Sequence, residues 1–129
     1  MHIVIPDDYQ DAVRQLDCFK LLLAHTVTVL HDSATDIDAL AEKFKDADCL
    51  VLIRERTKIT RALLDRLPKL KLISQTGKVG EHIDLRACSE RKVAVMEGVG
   101  SPIAPSELTW ALIMASRRNL CRSAQDMKL

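Results

Sequence analysis

Five short runs rich in Val, Ile and Leu recur along the chain, and segments with helical spacing lie between them. The apolar runs are HIVI (residues 2–5), VTVL (27–30), CLVLI (49–53), KLIS (71–74) and VAVM (93–96). The intervening segments, with apolar residues three and four positions apart, are 9–23, 35–45, 60–67 and 85–91. Runs of this length that are almost continuously apolar are typical of strands buried on both faces. The pattern therefore predicts a parallel sheet flanked by helices.

The regular alternation of strand and helix predicts a flavodoxin-like, doubly wound α/β fold with a parallel sheet of about five strands. Thr35, followed by Asp38, and Thr60 are predicted N-caps, because their side-chain oxygens can accept hydrogen bonds from first-turn amides. Pro68 is expected to stop the helix that begins at Thr60.

A long C-terminal helix is predicted after Pro105 and Ser106, where ELTWALIMASRRNL is apolar on nearly all sides. The polar stretch that follows, CRSAQDMKL, is expected to fray. We therefore expect a flavodoxin-like domain over residues 1–105 and this helix over residues 106–129.

Composition excludes several classes of protein. The 129 residues are 47% hydrophobic and 29% charged with a formal net charge of +1, which is typical of one globular domain and indicates neither nucleic acid nor membrane as a partner. The N-terminus lacks a signal peptide and no apolar run reaches the length of a membrane span, so we expect a cytoplasmic protein. The four cysteines lack metal-ligand spacing and are expected to be reduced and mostly buried.

Ligands of doubly wound sheets bind at the carboxyl ends of the strands, so the loops after the strands are candidate sites. After the first strand, Asp7 and Asp8 invite comparison with the paired acids that hold magnesium in phosphoryl-accepting receiver domains. Such a site also needs an acceptor aspartate after the third strand, where this sequence has RERT. We therefore interpret the two acids as a turn and N-cap and predict no metal site.

The segment RERTKIT (residues 54–60), here called the arginine loop, follows the third strand. The guanidinium groups of Arg54 and Arg56 suit a carboxylate or a phosphate, since each can donate two parallel charged hydrogen bonds. The alternative is a solvated loop in which either arginine pairs with Glu55, and this feature alone favours that alternative.

After the fourth strand comes the glycine loop, which consists of Gly77, Lys78, Val79 and Gly80. Glycine permits positive φ angles, and successive amides turned inward form a nest that can receive a carboxylate. Because GxxG is also common in plain turns, the spacing alone leaves an anion nest and a simple turn equally open.

The remaining motifs do not complete a catalytic site. GVGSP (residues 98–102) lacks the third glycine of a dinucleotide fingerprint and follows the last strand. The four histidines show no metal-ligand spacing, and His82, two residues from Asp84, is interpreted as a turn residue. We predict no pair of nucleophile and base, and therefore no catalytic residues.

Three blocks of sequence resemble a known family. They are DADCLVLIRERTKIT, LPKLKLISQTGKVGEHIDLRACSERKVAVMEG and SPIAPSELTWALIMASRR. In this order they resemble the N-terminal substrate-binding domain of the D-2-hydroxyacid dehydrogenases, from residue 1 to about residue 120. The resemblance implies a flavodoxin-like substrate-binding domain of an NAD-dependent oxidoreductase that acts on the CH–OH group of D-2-hydroxy acids and is similar to phosphoglycerate dehydrogenase.

The resemblance also implies roles for individual residues. Family glycine loops present amides to the substrate carboxylate, which implies substrate binding by Gly77, Lys78, Val79 and Gly80. An arginine before the threonine of the arginine loop lies near the substrate in several members, and Arg56 matches it.

The start of the long helix matches a further part of the family. Ser106 and Glu107 correspond to the segment near the nicotinamide end of the cofactor. The family pattern GxGxD differs here, since Gly80 falls one position later than its second glycine. Which amide would face the carboxylate is therefore left open.

In the family, the NAD-binding domain supplies the GxGxxG turn, the substrate-binding arginine, the catalytic histidine and the acid that orients it. None of these has a counterpart here, and hydride transfer needs a held cofactor and a positioned acid. We therefore expect a truncated or split chain that binds no NAD and is inactive alone, while NAD belongs to the complete enzyme.

The long helix predicts a partner. Without the family's other domain, Trp110, Ile113 and Met114 would be left in water, at a cost of about 1.5–3 kcal/mol for each side chain. We expect a homodimer or a complementing NAD-binding chain, with a small 2-hydroxy or 2-oxo acid as ligand. The alternatives are a non-enzymatic module that binds small carboxylates and a purely structural remnant.

Overall fold

The computed structural model describes residues 1–32 and 34–127. Its strands are β1 (His2–Ile5), β2 (Thr26–Val29), β3 (Cys49–Leu52), β4 (Leu72–Gln75) and β5 (Ala94–Glu97). Its α-helices are α1 (Ile37–Phe44), α2 (Arg61–Leu64), α3 (Leu85–Glu90), α4 (Ile103–Arg117) and α5 (Leu120–Asp126). Two 3-10 helices, Val13–Gln15 and Asp17–Leu22, lie between β1 and β2. The chain divides into two compact units, Met1–Val99 and a second unit that begins at Gly100.

The five strands form one sheet in the order β2-β1-β3-β4-β5, and all neighbouring strands are parallel. This is the strand order of flavodoxin-like doubly wound folds, so the predicted fold class is confirmed. Every predicted strand is present, with ends that differ from the predicted ones by at most one residue. The strand order reverses between β1 and β3, where ligands of such folds bind.

Most of the core lies between the sheet and α1, α2 and α3. The larger apolar cluster contains Val4, Leu50 and Ile73 from the strands, together with Phe44 of α1 and Leu63 of α2. All five are fully buried. Because burying a side chain of this size contributes about 1.5–3 kcal/mol, this cluster supplies most of the driving force that holds the strand ends in place.

A smaller cluster is built on the strands nearest the 3-10 helices. Its buried members are Ile3, Ile5, Val29 and Cys49. The half-buried residues that pack against it include Val13, Phe19, Leu22, Val51 and Leu72. Its cover is thinner than that of the larger cluster, because short 3-10 segments replace a full helix.

The α-helix predicted over residues 9–23 is wrong. Two short 3-10 helices occupy this segment, and Leu16 between them has an extended backbone with a ψ of 136°. Leu21 and Leu23 are 81% and 75% exposed. Val13, Phe19 and Leu22 pack against the smaller cluster, but an apolar stripe that is only partly buried gives an α-helix little support, since helices in proteins depend on packing an apolar face.

Two helix starts test the predicted caps. Asp36 rather than Thr35 caps α1, because its carboxylate accepts a hydrogen bond from the Ala39 amide. Thr60 caps α2 as predicted, and its hydroxyl accepts a hydrogen bond from the Leu63 amide. The sequence pattern predicted both helices, but it placed the N-cap of α1 one residue too early.

The C-terminal helices also differ from the prediction. Helix α4 begins at Ile103, so Pro105 lies in its first turn, where an amide would have no intrahelical partner. Part of the tail expected to fray lies in α5 (Leu120–Asp126), while residues 128 and 129 of that tail lie outside the described residues. Asn119, with a φ of 50°, separates α4 from α5. Among the described residues, no helix is long and apolar enough to cross a membrane.

The expectation of mostly buried cysteines holds for two of the four. Cys49 and Cys88 are buried, whereas Cys18 and Cys121 are exposed, and all four thiols are free. Burial raises the pKa of the Cys49 and Cys88 thiols, so neither is poised for nucleophilic chemistry.

Candidate functional site

A cleft of about 570 Å³ opens at the carboxyl ends of β3 and β4. Its lining residues, from the arginine loop, the end of β4 and the start of the glycine loop, are Arg54, Glu55, Arg56, Gln75, Thr76, Gly77 and Lys78. Three of these side chains are cationic and one is anionic. A cleft with this lining attracts anions. The predicted substrate-binding residues include Arg56, Gly77 and Lys78, while Arg54 is predicted only as a candidate anion-binding residue of the arginine loop.

The loop after β1 is tied to the arginine loop through Asp7. This residue is buried, and the Thr57 hydroxyl donates a hydrogen bond of 2.5 Å to its Oδ2. Arg56 Nη1 donates a hydrogen bond of 2.7 Å to the Asp7 carbonyl. Asp7 has a φ of 63°, a left-handed conformation that aspartate tolerates better than most residues. Asp7 therefore fixes the position of the arginine loop relative to β1.

The guanidinium of Arg56 is held in place while the residue stays exposed. Its Cζ lies 4.6 Å from the ring centroid of Tyr9, a cation–π contact. The contacts to Tyr9 and to the Asp7 carbonyl orient the group, and an arginine has five N–H donors to offer. Arg56 therefore does not form the alternative ion pair with Glu55.

Asp8 binds the amides at the start of the first 3-10 helix, although Ala12 rather than Asp8 is the N-cap residue of that helix. Its Oδ1 accepts a hydrogen bond from the Ala12 amide and its Oδ2 accepts one from the Val13 amide, each 3.0 Å long. Its backbone carbonyl is 2.8 Å from His31 Nδ1. Across residues 1–32 and 34–127, no group of three His, Cys, Asp or Glu side chains could hold a metal ion.

Of the two alternatives that the spacing of the glycine loop left open, the structure does not show an anion nest with glycines of positive φ. The Val79 amide donates a hydrogen bond of 3.0 Å to Oε2 of Glu97. The Lys78 ammonium pairs with Oε1 of the same carboxylate. These contacts, that of Lys78 first, hold the pKa of Glu97 below its ordinary value. The loop therefore does bind a carboxylate, but one that belongs to the chain itself.

Gln75, buried at the end of β4, connects the arginine loop to His82, which follows the glycine loop. Its Nε2 donates a hydrogen bond of 2.9 Å to the Arg54 carbonyl, and its Oε1 is 3.2 Å from His82 Nε2. Arg54 has a φ of 60°, so Gln75 stabilises a left-handed residue at the edge of the cleft. The sequence prediction missed Gln75, although a polar residue at the end of an otherwise apolar strand is a signal that could have identified it.

His82 and Asp84 do not act as an acid–base pair. Oδ1 of Asp84 accepts a hydrogen bond of 2.8 Å from the Ala87 amide and caps α3. The His82 carbonyl accepts a hydrogen bond from the Ile59 amide, and the Asp84 amide donates one to the Ile59 carbonyl. These two bonds join the arginine loop to the segment after the glycine loop, which agrees with the interpretation of His82 as a turn residue. Within the described part of the chain, His82 Nδ1 is buried without a hydrogen-bond partner.

Ser106 and Glu107 lie in α4, in the second unit of the chain. Both residues are exposed, and the Ser106 hydroxyl donates a hydrogen bond of 2.6 Å to the Pro102 carbonyl. Their position near a cofactor stays a prediction.

A doubly wound sheet with an anion-attracting cleft beside its switch point defines a ligand-binding α/β domain. Comparison with protein families then identifies which one. The family described as D-isomer specific 2-hydroxyacid dehydrogenase, catalytic domain, matches residues 6–127. The chain belongs to this family.

Individual relatives agree with this assignment. A D-3-phosphoglycerate dehydrogenase of Methanocaldococcus jannaschii is 37% identical over 92 residues, which is 70% of this chain and 17% of that protein. A solved phosphoglycerate oxidoreductase from Vibrio cholerae O395 is 56% identical with a TM-score of 0.83, and the match covers 89% of this chain and 36% of that one. A solved oxidoreductase from Ralstonia solanacearum is 54% identical with a TM-score of 0.84, and the match covers 98% and 38% of the two chains.

The chain thus spans less than two fifths of the length of these relatives, with shares of 17%, 36% and 38%. Enzymes of the family bind NAD.

Proposed function

We propose that this chain binds a small 2-hydroxy or 2-oxo acid in the cleft, as the substrate-binding domain of an NAD-dependent oxidoreductase that acts on the CH–OH group of D-2-hydroxy acids. The observation that carries the proposal is the placement of Arg54, Arg56 and Lys78 around one cleft at the carboxyl edge of the sheet. Family membership supports the reaction class.

The charge of the cleft supports a ligand with more than one anionic group. Arg54, Arg56 and Lys78 outweigh Glu55, the one acidic residue in the lining, even though Lys78 also pairs with Glu97. An acid that carries both a carboxylate and a phosphate would neutralise more of this charge than a simple 2-hydroxy acid. The relatives named phosphoglycerate dehydrogenase support the same choice, so we propose D-3-phosphoglycerate as the first ligand to test.

The residues proposed to bind the substrate are Arg56, Gly77, Lys78, Val79 and Gly80. The planar fork of Arg56 can donate two parallel hydrogen bonds to a carboxylate. The contacts of Lys78 and Val79 with Glu97 support carboxylate recognition by the glycine loop, because a carboxylate already fits there. The chain's own contribution to the reaction is then to bind and orient the acid.

NAD, when bound in an enzyme of this family, exchanges a hydride with the carbon of the CH–OH group. The residues described here do not fit NAD. A dinucleotide needs open amides at the start of a helix that connects two strands of the sheet, whereas residues 98–102 follow the last strand, β5, and lead into α4 and α5. We therefore propose that a complementing NAD-binding domain or chain holds the cofactor, with Ser106 and Glu107 close to it.

Exposed apolar side chains of α4 support a protein partner. Trp110, Ile113 and Met114 are 66%, 45% and 53% exposed. Full burial of such a side chain contributes about 1.5–3 kcal/mol, and covering the part still exposed would contribute about half of this, so we propose that a complementing chain or a second copy of this chain covers them. Light scattering over a range of concentrations tests this, since a chain that stays monomeric and does not bind an added NAD-binding domain contradicts it.

The cytoplasmic location and the domain boundary after residue 105 also stay predictions.

A second candidate function is a non-enzymatic module that binds small carboxylates. One observation favours it: every residue that lines the cleft belongs to the unit Met1–Val99. Such a module would bind its ligand without NAD and without turnover.

Isothermal titration calorimetry with D-3-phosphoglycerate tests binding by the cleft. We expect saturable binding that weakens about tenfold or more in Arg56→Gln, since a charged bidentate contact is lost. Lys20→Gln is the matched control. Lys20 does not line the cleft, is 75% exposed and pairs with Asp17. An absence of binding, or equal losses in both variants, would contradict the proposal.

A complementation assay separates the two candidate functions. The chain is mixed with an NAD-binding domain taken from an enzyme of the family, and oxidation of D-3-phosphoglycerate is followed through NADH absorbance. Turnover that requires both pieces supports the dehydrogenase, whereas binding without turnover supports the module.

A further inference from the structure

Glu97 is the last residue of β5, and its carboxylate contacts two residues of the glycine loop. Oε2 accepts the hydrogen bond of 3.0 Å from the Val79 amide, and Oε1 pairs with the Lys78 ammonium. Glu97 is placed there by the strand register, which sets it opposite Gln75 at the end of β4. Its side chain is still 42% exposed, so a carboxylate lies on the loop at the surface of the protein.

These two donors are the ones that the proposed function assigns to the substrate carboxylate. One N–H group cannot donate a full hydrogen bond to two carboxylates, and two carboxylates around one ammonium repel each other. A substrate carboxylate can therefore reach the Val79 amide only after Glu97 has left it.

We propose that Glu97 is an internal occupant of the carboxylate subsite and that the ligand displaces it. This inference rests on the proposed function. It makes Glu97 a specificity determinant, because only another anionic group, such as a carboxylate or a phosphate, restores the lost contacts. A neutral alcohol or aldehyde would leave the ammonium and the amide without an anion, so Glu97 would stay in place.

The cost of displacement is small enough for this exchange to be reversible. An exposed ion pair contributes little to stability, and the released carboxylate enters water directly, since Glu97 is partly exposed already. Removing the internal competitor should therefore tighten ligand binding by about three- to tenfold, and should not convert a weak site into an extremely tight one.

A role in shaping the loop makes the opposite prediction. If Glu97 served only to hold the glycine loop in a binding conformation, its removal would disorder the loop and weaken ligand binding. The sign of the change in affinity therefore separates an occupant of the subsite from a positioning residue.

The experiment compares Glu97→Gln with Glu90→Gln in the full chain by calorimetry. Both variants remove one negative charge, and Glu90 pairs with Arg61 and Arg86 around α3, outside the cleft. With D-3-phosphoglycerate we expect three- to tenfold tighter binding by Glu97→Gln and no change by Glu90→Gln. With glycerol, which carries no anionic group, neither variant should bind more tightly than the wild type.

Each outcome decides a separate point. Equal or weaker binding of D-3-phosphoglycerate by Glu97→Gln, with normal binding by the wild type, would overturn the role of Glu97 and leave the proposed function standing. No binding by any of the three proteins would remove the proposed function and this inference with it.

A measurement on the unmodified chain covers the case in which Glu97→Gln does not fold. Carbon-detected NMR follows the titration of the Glu97 carboxyl group, whose pKa is lowered by Lys78 and the Val79 amide. Saturating D-3-phosphoglycerate should return this pKa to its ordinary range or above it. A pKa that stays lowered in the saturated complex would show that Glu97 has not moved and would overturn the inference.

Discussion

The Thr57 hydroxyl donates a hydrogen bond of 2.5 Å to the carboxylate of Asp7, and both residues are buried. This bond joins the loop after β1 to the arginine loop, on either side of the point where the strand order reverses. The position of Arg56 depends on the same residue, because Arg56 donates its hydrogen bond to the Asp7 carbonyl.

Replacing Thr57 with Val should therefore destabilise the fold and loosen the site together. We expect a loss of about 1–3 kcal/mol in the free energy of unfolding, because a buried carboxylate oxygen loses its donor. Thr57→Ser keeps the hydroxyl and should lose less. Urea denaturation measures both variants, and a Thr57→Val chain as stable as the wild type would show that the bond does not support the fold.

Gly98 is close to the glycine loop and has no room for a side chain. A Cβ at this position would lie 2.6 Å from the Thr76 carbonyl oxygen, while a Cβ at Gly100 would meet nothing within 4 Å. Gly98→Ala should therefore cost about 1–3 kcal/mol through overpacking and weaken ligand binding, whereas Gly100→Ala should do neither. Thermal denaturation and calorimetry of the two variants check this, and equal behaviour of both would contradict it.

Acid stability should depend on Asp48. The His2 amide and the Lys71 ammonium, each 2.9 Å from its oxygens, lower the pKa of this carboxyl group to about 2. Because the folded pKa lies below the unfolded value, the stabilisation is fully present above pH about 4 and is lost as the pH falls toward 2. Urea denaturation between pH 2 and pH 6 should show this loss in the wild type and a flatter dependence in Asp48→Asn. Parallel curves for the two proteins would rule out the assigned role.

The four thiols should fall into two reactive classes. Cys18 and Cys121 are exposed, while burial raises the pKa of Cys49 and Cys88. We expect two thiols to react rapidly with an aromatic disulfide reagent in the folded protein, and all four to react in denaturant. Replacing Cys18 and Cys121 with Ser should abolish the rapid phase, and a rapid phase that persists would contradict the burial of the other two.

The strands could be predicted from the sequence because their signal is local. Runs such as CLVLI are apolar on both faces, and the structure places β3 at Cys49–Leu52 in the centre of the sheet. The segment 9–23 was misassigned for the complementary reason: its helical spacing is local too, but Leu21 and Leu23 find no surface to pack against. Whether an apolar stripe is buried depends on the rest of the fold, which the spacing does not contain.

The sequence predicted which loops lie at the carboxyl edge of the sheet, but it did not predict the hydrogen bonds that hold these loops. The position of the arginine and glycine loops follows from the order of the strands. Glu97 could not be assigned to the glycine loop from the sequence, because 18 residues separate it from Val79 and only the register of β4 with β5 brings them together. The bond between Thr57 and Asp7, 50 residues apart, has the same origin.

The central claim is that the glycine loop and the arginine loop bind the carboxylate of a small acid. A titration of ¹⁵N-labelled protein with D-3-phosphoglycerate tests it most directly, because the backbone amides of both loops report individually. Binding of the carboxylate by these loops predicts saturable chemical-shift changes in the amides of residues 77–80 and in the Arg56 side chain, with little change at Lys20. Spectra of a folded protein in which these signals do not move at saturating ligand concentrations would contradict it.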